Sequence, residues 1–126
     1  MKGDISMIHE EICTYEVCKL AKEKGFNIPT HYAYNENCQK AMYMELCLNR
    51  NTKDSRSISA PTQSLLQRWM REEKGLHITT PFDNNEFWWQ IKNLANGDSE
   101  YGEALGFDTY ELALEDALKY ALEKLV

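Results

Sequence analysis

Apolar side chains recur three and four residues apart in three stretches of the chain, which is the spacing of one face of an α-helix. The first predicted helix spans residues 15–24 and follows Thr14, whose hydroxyl can accept a hydrogen bond from the first turn. The second follows Thr62 and ends at Gly75, because glycine readily takes the left-handed conformation of a helix end. The predicted apolar faces are Val17, Leu20 and Ala21 in the first helix and Leu65, Leu66, Trp69 and Met70 in the second.

The third predicted helix occupies the C-terminal end of the chain and has a complete start signal. Asp108 is predicted to be its N-cap, and Glu111 follows three residues later, which is the spacing of a capping box. Glu115 and Lys119 are one helical turn apart and are predicted to pair on the exposed side. The predicted apolar face consists of Leu114, Ala117, Leu118, Ala121, Leu122 and Leu125.

Between the second and third helices, short apolar runs are bounded by turn residues, which indicates β-strands. Residues 76–80 and 87–91 are predicted to be two strands, joined by the turn-forming residues 83–85. Residues 101–105 are a candidate third strand, which Gly102 weakens because glycine is unfavourable inside a strand. This part of the chain therefore predicts the order α-β-β-(β)-α.

The N-terminal part of the chain gives weaker signals. Residues 31–34 are a short strand candidate. Residues 41–48 allow two interpretations, since their apolar residues alternate as in a strand while Met, Glu and Leu favour a helix. We favour a strand that pairs with residues 31–34. Residues 49–59 are polar apart from Ile58 and are predicted to be a loop.

These elements predict an α+β fold, with an antiparallel sheet of three or more strands flanked by helices. The length of 126 residues is close to the commonest domain size, so residues 1–126 are predicted to be a single domain. Its predicted parts are an N-terminal helix with short strands over residues 1–48, the polar loop over 49–59, and an α-β-β-β-α unit over 60–126.

The net charge of −6 is concentrated at the C-terminal end, where residues 100–126 carry seven acids and two bases. The α-β-β-β-α order resembles that of double-stranded-RNA-binding domains, which place lysines at the start of their last helix. Asp108 and Glu111 hold that place in this chain, and carboxylates repel phosphate. Arg68 and Arg71 are the candidate contacts for the alternative function, a weak nucleic-acid binder, but nucleic acid is not the expected partner.

The four cysteines are Cys13, Cys18, Cys38 and Cys47. Their spacings, Cys-x4-Cys and Cys-x8-Cys, fit no common zinc site, so we expect no metal and no other cofactor. We also expect no disulfide, because the N-terminal residues are not those of a secretory signal and cytoplasmic thiols stay reduced. The favoured interpretation of the cysteines is that of small buried side chains.

Recognisable catalytic motifs are missing from the sequence. It contains no Gly-x-Ser-x-Gly elbow, no phosphate-binding loop and no dinucleotide fingerprint. Neighbouring acids such as Glu72 and Glu73 point about 100° apart on a helix and do not converge. No apolar run approaches the length of a membrane span. We therefore expect a non-enzymatic protein that acts in the cytoplasm and not in a membrane.

Trp88 is the residue that the predicted fold leaves hardest to bury. In the predicted return strand, Trp88, Gln90 and Lys92 share the side that faces away from the helices. Cover by the chain from Tyr32 to Leu48 is the favoured interpretation. The alternative is that the three residues form an interface with another protein, because tryptophan is enriched at such interfaces. The expected partner is then an unknown protein or a second copy of the chain.

Three phrases of the sequence resemble those of small uncharacterised proteins found in Bacteroidetes genomes and their prophages. They are Pro-Thr-Gln-Ser-Leu-Leu at residues 61–66, Leu-Ala-Lys-Glu-Lys-Gly-Phe at 20–26 and Thr-Tyr-Glu at 109–111, and the resemblance covers residues 14–126. It implies a bacterial, cytoplasmic protein of mobile-element origin, and it implies no particular activity. The expected function is that of an accessory or protein-interaction protein.

Overall fold

The computed structural model describes residues 10–102 and 106–126, and over these residues the chain is an α+β protein of helices and antiparallel sheets. Its N-terminal half contains helix α1 (Tyr15–Glu23) and a sheet of strands β1 (Thr30–Asn35), β2 (Cys38–Leu48) and β3 (Ser57–Ser59). These strands lie in the order β2-β1-β3. The favoured interpretation of residues 41–48, a strand that pairs with residues 31–34, is confirmed.

The C-terminal half has the predicted α-β-β-β-α order with one insertion. It consists of helix α2 (Gln63–Lys74), strands β4 (Leu76–Thr79), β5 (Phe82–Asp83), β6 (Glu86–Phe87), β7 (Gln90–Asn93) and β8 (Ser99–Tyr101), and helix α3 (Tyr110–Tyr120), which continues into a π-helical turn (Ala121–Leu125). Strands β4, β7 and β8 form an antiparallel sheet in that order. Strands β5 and β6 form a separate hairpin, inserted between the first two strands of that sheet.

The return strand predicted over residues 87–91 is wrong in its extent. Phe87 pairs with Phe82 in the hairpin, whereas the pairing with β4 begins only at Gln90. Between them the chain changes partner, and Trp88 N donates a hydrogen bond to the carbonyl oxygen of Pro81 at 2.9 Å. The run of aromatic residues therefore belongs to two sheets.

The two predicted connections next to the sheets also need correction. The loop predicted over residues 49–59 ends in strand β3, where Ile58 is buried and pairs with Tyr34 of β1. Ile58 is the one apolar residue of that polar run, and burial of its side chain explains the strand. The third strand of the C-terminal sheet is formed by residues 99–101, and residues 103–105 of the predicted strand lie outside the described residues.

The predicted ends of the first two helices are confirmed. The hydroxyl of Thr14 accepts a hydrogen bond from Val17 N at 3.3 Å, and the hydroxyl of Thr62 accepts one from Leu65 N at 3.2 Å. Gly75 ends α2 in the left-handed conformation, with a φ of 65°. Local sequence chemistry therefore fixes both helices.

The predicted N-cap of the third helix is wrong by one residue. Thr109 caps α3, and its hydroxyl accepts a hydrogen bond from Leu112 N at 3.1 Å. The reason lies in Phe107, whose N–H and carbonyl both pair with Phe87 and keep the chain extended to Asp108. The helix begins only after that pairing ends.

Both halves of the chain share one hydrophobic core. Helices α2 and α3 pack against β4, and α1 packs against β3 and the C-terminal helix. This arrangement buries one face of each element, as layered α+β proteins require. Trp69, Leu114, Leu118 and Ala121 of the predicted apolar faces are buried in it together with Trp89 and Ile91, and Leu65 packs against its edge.

Glu115 joins the starts of the first two helices to the third, and its predicted pairing with Lys119 is wrong. Its two carboxylate oxygens accept hydrogen bonds from Thr14 N and from Gln63 Nε2, both at 2.8 Å. A carboxylate is favourable at a helix N-terminus, where backbone N–H groups lack partners. Lys119 pairs instead with Glu16 of α1 at 3.3 Å.

Candidate functional site

The β5-β6 hairpin separates aromatic residues from carboxylates. Phe82 pairs with Phe87, and Asp83 pairs with Glu86. Directly opposed residues share a face, so the phenylalanines occupy one face and the acids the other. The asparagines at 84–85 have positive φ values of 52° and 62°. Such a two-residue turn matches the twist of a hairpin and holds this register.

A third segment of chain extends the aromatic row. Phe107 and Phe87 exchange two backbone hydrogen bonds, at 2.7 and 2.8 Å, so the opposed aromatic residues run from Phe82 through Phe87 to Phe107. The rings of Phe82 and Phe87 lie 4.8 Å apart, and Tyr110 meets Phe87 edge to face at 6.2 Å. We call these four residues the aromatic face. Phe82 is 59% exposed and Tyr110 is 40% exposed.

The same pairing extends the row of carboxylates. Asp83 opposes Glu86 in the hairpin, and the antiparallel bridge between Phe87 and Phe107 makes Asp108 the next residue opposed to Glu86. We call Asp83, Glu86 and Asp108 the acidic row. Like charges directly opposed destabilise a sheet, so the fold gains nothing from this arrangement.

Trp88 contacts both the hairpin and the segment that carries Phe107. Its indole Nε1 donates to the carbonyl oxygen of Asp83 at 3.1 Å. A β-carbon added at Gly106 would lie 3.0 Å from the Trp88 ring and 2.5 Å from Cβ of Glu86. These contacts hold Trp88, which is half-buried, and the predicted cover by residues 32–48 stays a prediction.

Gln90 and Lys92, which were predicted to share a face with Trp88, belong to strand β7. They are on the open side of the β4-β7-β8 sheet, opposite Tyr101 and Ser99 respectively. The amide of Gln90 lies 3.4 Å from the hydroxyl of Tyr101. Trp88 therefore contacts the hairpin, whereas Gln90 and Lys92 pair with strand β8, and an interface formed by the three residues stays a prediction.

A second group of carboxylates borders the aromatic face at Tyr110. Tyr110 lines a pocket of about 200 Å³ whose other walls include Glu10, Glu11 and Glu111. One carboxylate oxygen of Glu10 accepts a hydrogen bond from the hydroxyl of Ser64 at 2.7 Å. Among the described residues the ion pairs are Arg68–Glu72 and Lys119–Glu16. Within residues 10–102 and 106–126, neither this group nor the acidic row therefore has a basic partner within ion-pair distance.

The candidate nucleic-acid contacts lie on the exposed side of α2. Arg68 Nε forms an ion pair with Glu72 Oε2 at 2.8 Å, and Arg71 is half-buried. The groove beside Arg68 is also lined by Glu72 and Glu73. Carboxylates beside the guanidinium weaken its attraction for phosphate.

The buried residues Cys13, just before α1, and Cys18, within α1, form a polar cluster with Tyr34. Cys13 and Cys18 are fully buried, and Cys18 Sγ donates to the Cys13 carbonyl oxygen, which also accepts from the Tyr34 hydroxyl at 2.7 Å. The hydrogen bond with Cys18 and burial raise the pKa of the Cys13 thiol well above its usual value. A thiol held protonated in this way is a poor nucleophile. These two cysteines fit the predicted role of small buried side chains, whereas Cys47 is exposed on β2.

A second exposed apolar surface lies along the edge strand β2. Its exposed side chains are Met42, Tyr43, Leu46 and Leu48. The strand is irregular there, because four residues are bulged out between the pairings of Tyr43 and Leu48. His31 Nδ1 lies 3.1 Å from the Met44 carbonyl, and Arg50 donates to the Leu46 carbonyl at 2.9 Å. A bulge protects an edge strand against pairing with another chain.

Metal and membrane sites find no support in the part of the chain that is described. No three of its His, Cys, Asp or Glu side chains converge on a point where a metal ion could bind. None of its helices has the length and the apolar character that crossing a bilayer requires.

The fold and this surface define an α+β protein with an exposed aromatic face bordered by carboxylates. No family model, no curated protein and no solved structure matches the chain. The resemblance to proteins of Bacteroidetes and their prophages stays a prediction, and function has to be inferred from geometry.

Part of the aromatic face could have been predicted from the sequence, although residues 87–91 were interpreted as one continuous strand. Phe-Asp and Glu-Phe flank the two asparagines symmetrically at 82–83 and 86–87. A two-residue turn at 84–85 necessarily pairs the phenylalanines with each other and the acids with each other. The contribution of Tyr110 and Phe107, by contrast, depends on a contact across about twenty residues of chain.

Proposed function

We propose that the chain is a non-enzymatic protein-interaction protein that binds its partner through the aromatic face. The observation that carries the proposal is the exposure of Phe82 and Tyr110 on either side of Phe87. Exposed apolar patches mark interaction sites in proteins, and large aromatic side chains supply much of the binding energy at interfaces. The cytoplasm is the proposed location, because the exposed thiol of Cys47 suits a reducing compartment.

The rigid support of the aromatic face favours a binding role. Phe82 and Phe87 are fixed by the hairpin, and Phe87 is fixed by both hydrogen bonds to Phe107. A surface that is already ordered loses little conformational entropy when a partner binds. The partner therefore meets a preformed surface.

The proposal is tested by affinity capture from an extract of the organism that encodes the chain, followed by titration with the purified partner. The Phe82→Ala/Tyr110→Ala variant should lose the partner, with an affinity reduced by roughly tenfold or more, as for central interface aromatics. Tyr101→Ala is the matched control, because Tyr101 is 64% exposed on the open sheet face and outside the aromatic face.

Two outcomes would overturn the proposal. One is a captured protein whose affinity, measured with pure components, is the same for wild type, control and double variant. The other is the capture of no protein that binds in purified form. Circular dichroism of both variants establishes that any loss is not caused by unfolding.

The alternative function, weak nucleic-acid binding, is decided by a mobility-shift assay with duplex RNA and duplex DNA at low salt. Low salt is the most lenient condition, because phosphate binding is strongest there. We expect no shift at micromolar protein concentration, since carboxylates surround the start of α3 and the hairpin. A salt-sensitive shift that is lost in Arg68→Ala/Arg71→Ala would replace the protein-interaction proposal with the alternative.

A further inference from the structure

We infer that the aromatic face binds a basic segment of another protein, in which arginine or lysine side chains are interleaved with apolar ones. This inference rests on the proposed function and specifies the chemistry of the partner. It follows from the acids beside Tyr110 and on the opposite face of the hairpin, and from the absence of any base among the residues that form the hairpin and its neighbouring segment, 82–88 and 106–108.

The acidic row provides the first argument. Asp83, Glu86 and Asp108 are opposed to one another in the pairing, which is unfavourable for carboxylates that have no cation between them. The described residues supply no cation here, since their ion pairs lie elsewhere. A guanidinium or ammonium group from a partner would relieve the repulsion. Trp88 lies beside Glu86, so its indole ring is available for a cation–π contact.

The acids beside Tyr110 provide the second argument. Glu10, Glu11 and Glu111 line the pocket next to it, so they border the aromatic face directly. The acidic row lies on the opposite face of the same hairpin. A partner segment that covers the aromatic rings with apolar side chains therefore meets one group of carboxylates beside Tyr110 and the other where it passes over the edge of the hairpin. Complementary positive charge is the arrangement that gives specificity and rapid association.

The same charges argue against a second copy of this chain on the aromatic face. In a two-fold symmetric dimer the same patch is used by both subunits. The acids beside Tyr110 in one subunit would then lie close to those of the other, which is repulsive. A metal ion is not the occupant that the geometry favours, because no three metal-binding side chains converge among the described residues.

The test measures binding of defined peptides by calorimetry and by NMR of the aromatic side chains. The probe is a peptide that repeats Arg-Leu-Ser, and the comparison peptides replace Arg by Glu, Arg by Gln, or Leu by Ser. We expect the Arg-Leu-Ser peptide to bind with the highest affinity, to shift the signals of Phe82 and Tyr110, and to weaken as salt is added. The glutamate peptide should not bind.

Variants of the protein test whether the carboxylates of the acidic row bind the peptide. Asp83→Asn/Glu86→Gln/Asp108→Asn should reduce the affinity for the Arg-Leu-Ser peptide by about tenfold, the effect of losing several charge-assisted contacts. The matched control neutralises two aspartates and one glutamate that are exposed elsewhere, Asp54→Asn/Asp98→Asn/Glu45→Gln. It should bind like the wild type. Without peptide, the acidic-row variant should melt at the same or a higher temperature, because repulsion is removed.

The outcomes separate this inference from the proposed function. If the uncharged glutamine peptide binds as well as the arginine peptide and Phe82→Ala abolishes both, the aromatic face binds protein and the basic partner is wrong. Equal loss of affinity in the acidic-row variant and its control also overturns the inference, as does a lower melting temperature of the acidic-row variant. A Phe82-dependent dimer in sedimentation would assign the surface to a second copy instead. If no peptide binds through the aromatic face, the inference fails, and the native partner alone decides the proposed function.

Discussion

At the scale of single residues, the Tyr34 hydroxyl is a buried polar group held by a short hydrogen bond. It donates to the carbonyl oxygen of Cys13 at 2.7 Å beside the buried thiol of Cys18. Burial raises the pKa of Tyr34 to about 12, from the ordinary value of 10.0. The neutral phenol is therefore part of the folded state, and its ionisation opposes folding.

The raised pKa predicts how stability falls in alkali. Because the folded pKa of Tyr34 is above the unfolded value, its contribution is complete below pH 10 and is lost as the pH rises towards 12. Tyr34→Phe should lower the free energy of unfolding near neutral pH by about 1–3 kcal/mol, since the buried Cys13 carbonyl loses its stronger donor and keeps only the weak one from Cys18 Sγ. It should also flatten the alkaline decline, leaving the part due to Cys13.

Urea unfolding of wild type and Tyr34→Phe across this pH range measures both effects. Tyr101→Phe is the control, because its hydroxyl is exposed and its removal should change neither quantity. Parallel alkaline limbs in wild type and Tyr34→Phe would contradict the assignment of the titration to Tyr34.

At the scale of elements, the hairpin depends on a glycine that lies outside it. A β-carbon at Gly106 would lie 2.5 Å from Cβ of Glu86, close to the backbone and unable to turn away. Gly106→Ala should therefore displace the hairpin and cost about 1–3 kcal/mol, as overpacking does. Amide hydrogen exchange should show faster exchange at Phe87 and Phe107, while Ile91 in β7 is the internal control. Unchanged protection of Phe87 would show that the hairpin is not held at Gly106.

The ends of the elements differ in whether they could be predicted from neighbouring residues in the sequence. Thr14, Thr62 and Gly75 act within one helical turn, so the ends of α1 and α2 could be predicted from the sequence. The N-cap of α3 and the split of the return strand could not, because both depend on the pairing of Phe87 with Phe107 across about twenty residues. Period-two alternation carries no information about where a chain changes its pairing partner.

At the scale of the whole molecule, the acidic surroundings of the aromatic face were only partly visible in the sequence. The excess of acids over residues 100–126 was visible, and it includes Asp108 and Glu111. Glu10 and Glu11 lie beside Tyr110 and Glu111 only because the two halves of the chain pack together. That packing brings Thr14 and Gln63 onto Glu115. No periodicity encodes such a contact, since its partners are separated by 101 and 52 residues.

Glu115 should therefore be central to the cooperation between the two halves. Glu115→Ala removes the acceptor of Thr14 N and of the Gln63 amide, and Gln63 is only 4% exposed. The expected cost is about 1–3 kcal/mol of unfolding free energy, because one N–H of the buried Gln63 amide loses its partner and Thr14 N loses a charge-assisted acceptor. Glu123→Ala is the matched control, because Glu123 is exposed on the last turn of the C-terminal helix.

A single core predicts that wild type and Glu115→Ala both unfold in one transition, with the variant at lower denaturant concentration. Tryptophan fluorescence follows the C-terminal half, because all three tryptophans lie there, and hydrogen exchange of β1 follows the N-terminal half. Coincident midpoints in wild type would establish one cooperative domain. Separate midpoints in wild type would contradict the single domain, whereas separation only in Glu115→Ala would mean that this carboxylate couples two otherwise independent units. If Glu123→Ala lowers the unfolding free energy as much as Glu115→Ala does, the cause is the changed charge of the helix and not the loss of the hydrogen bonds of Glu115.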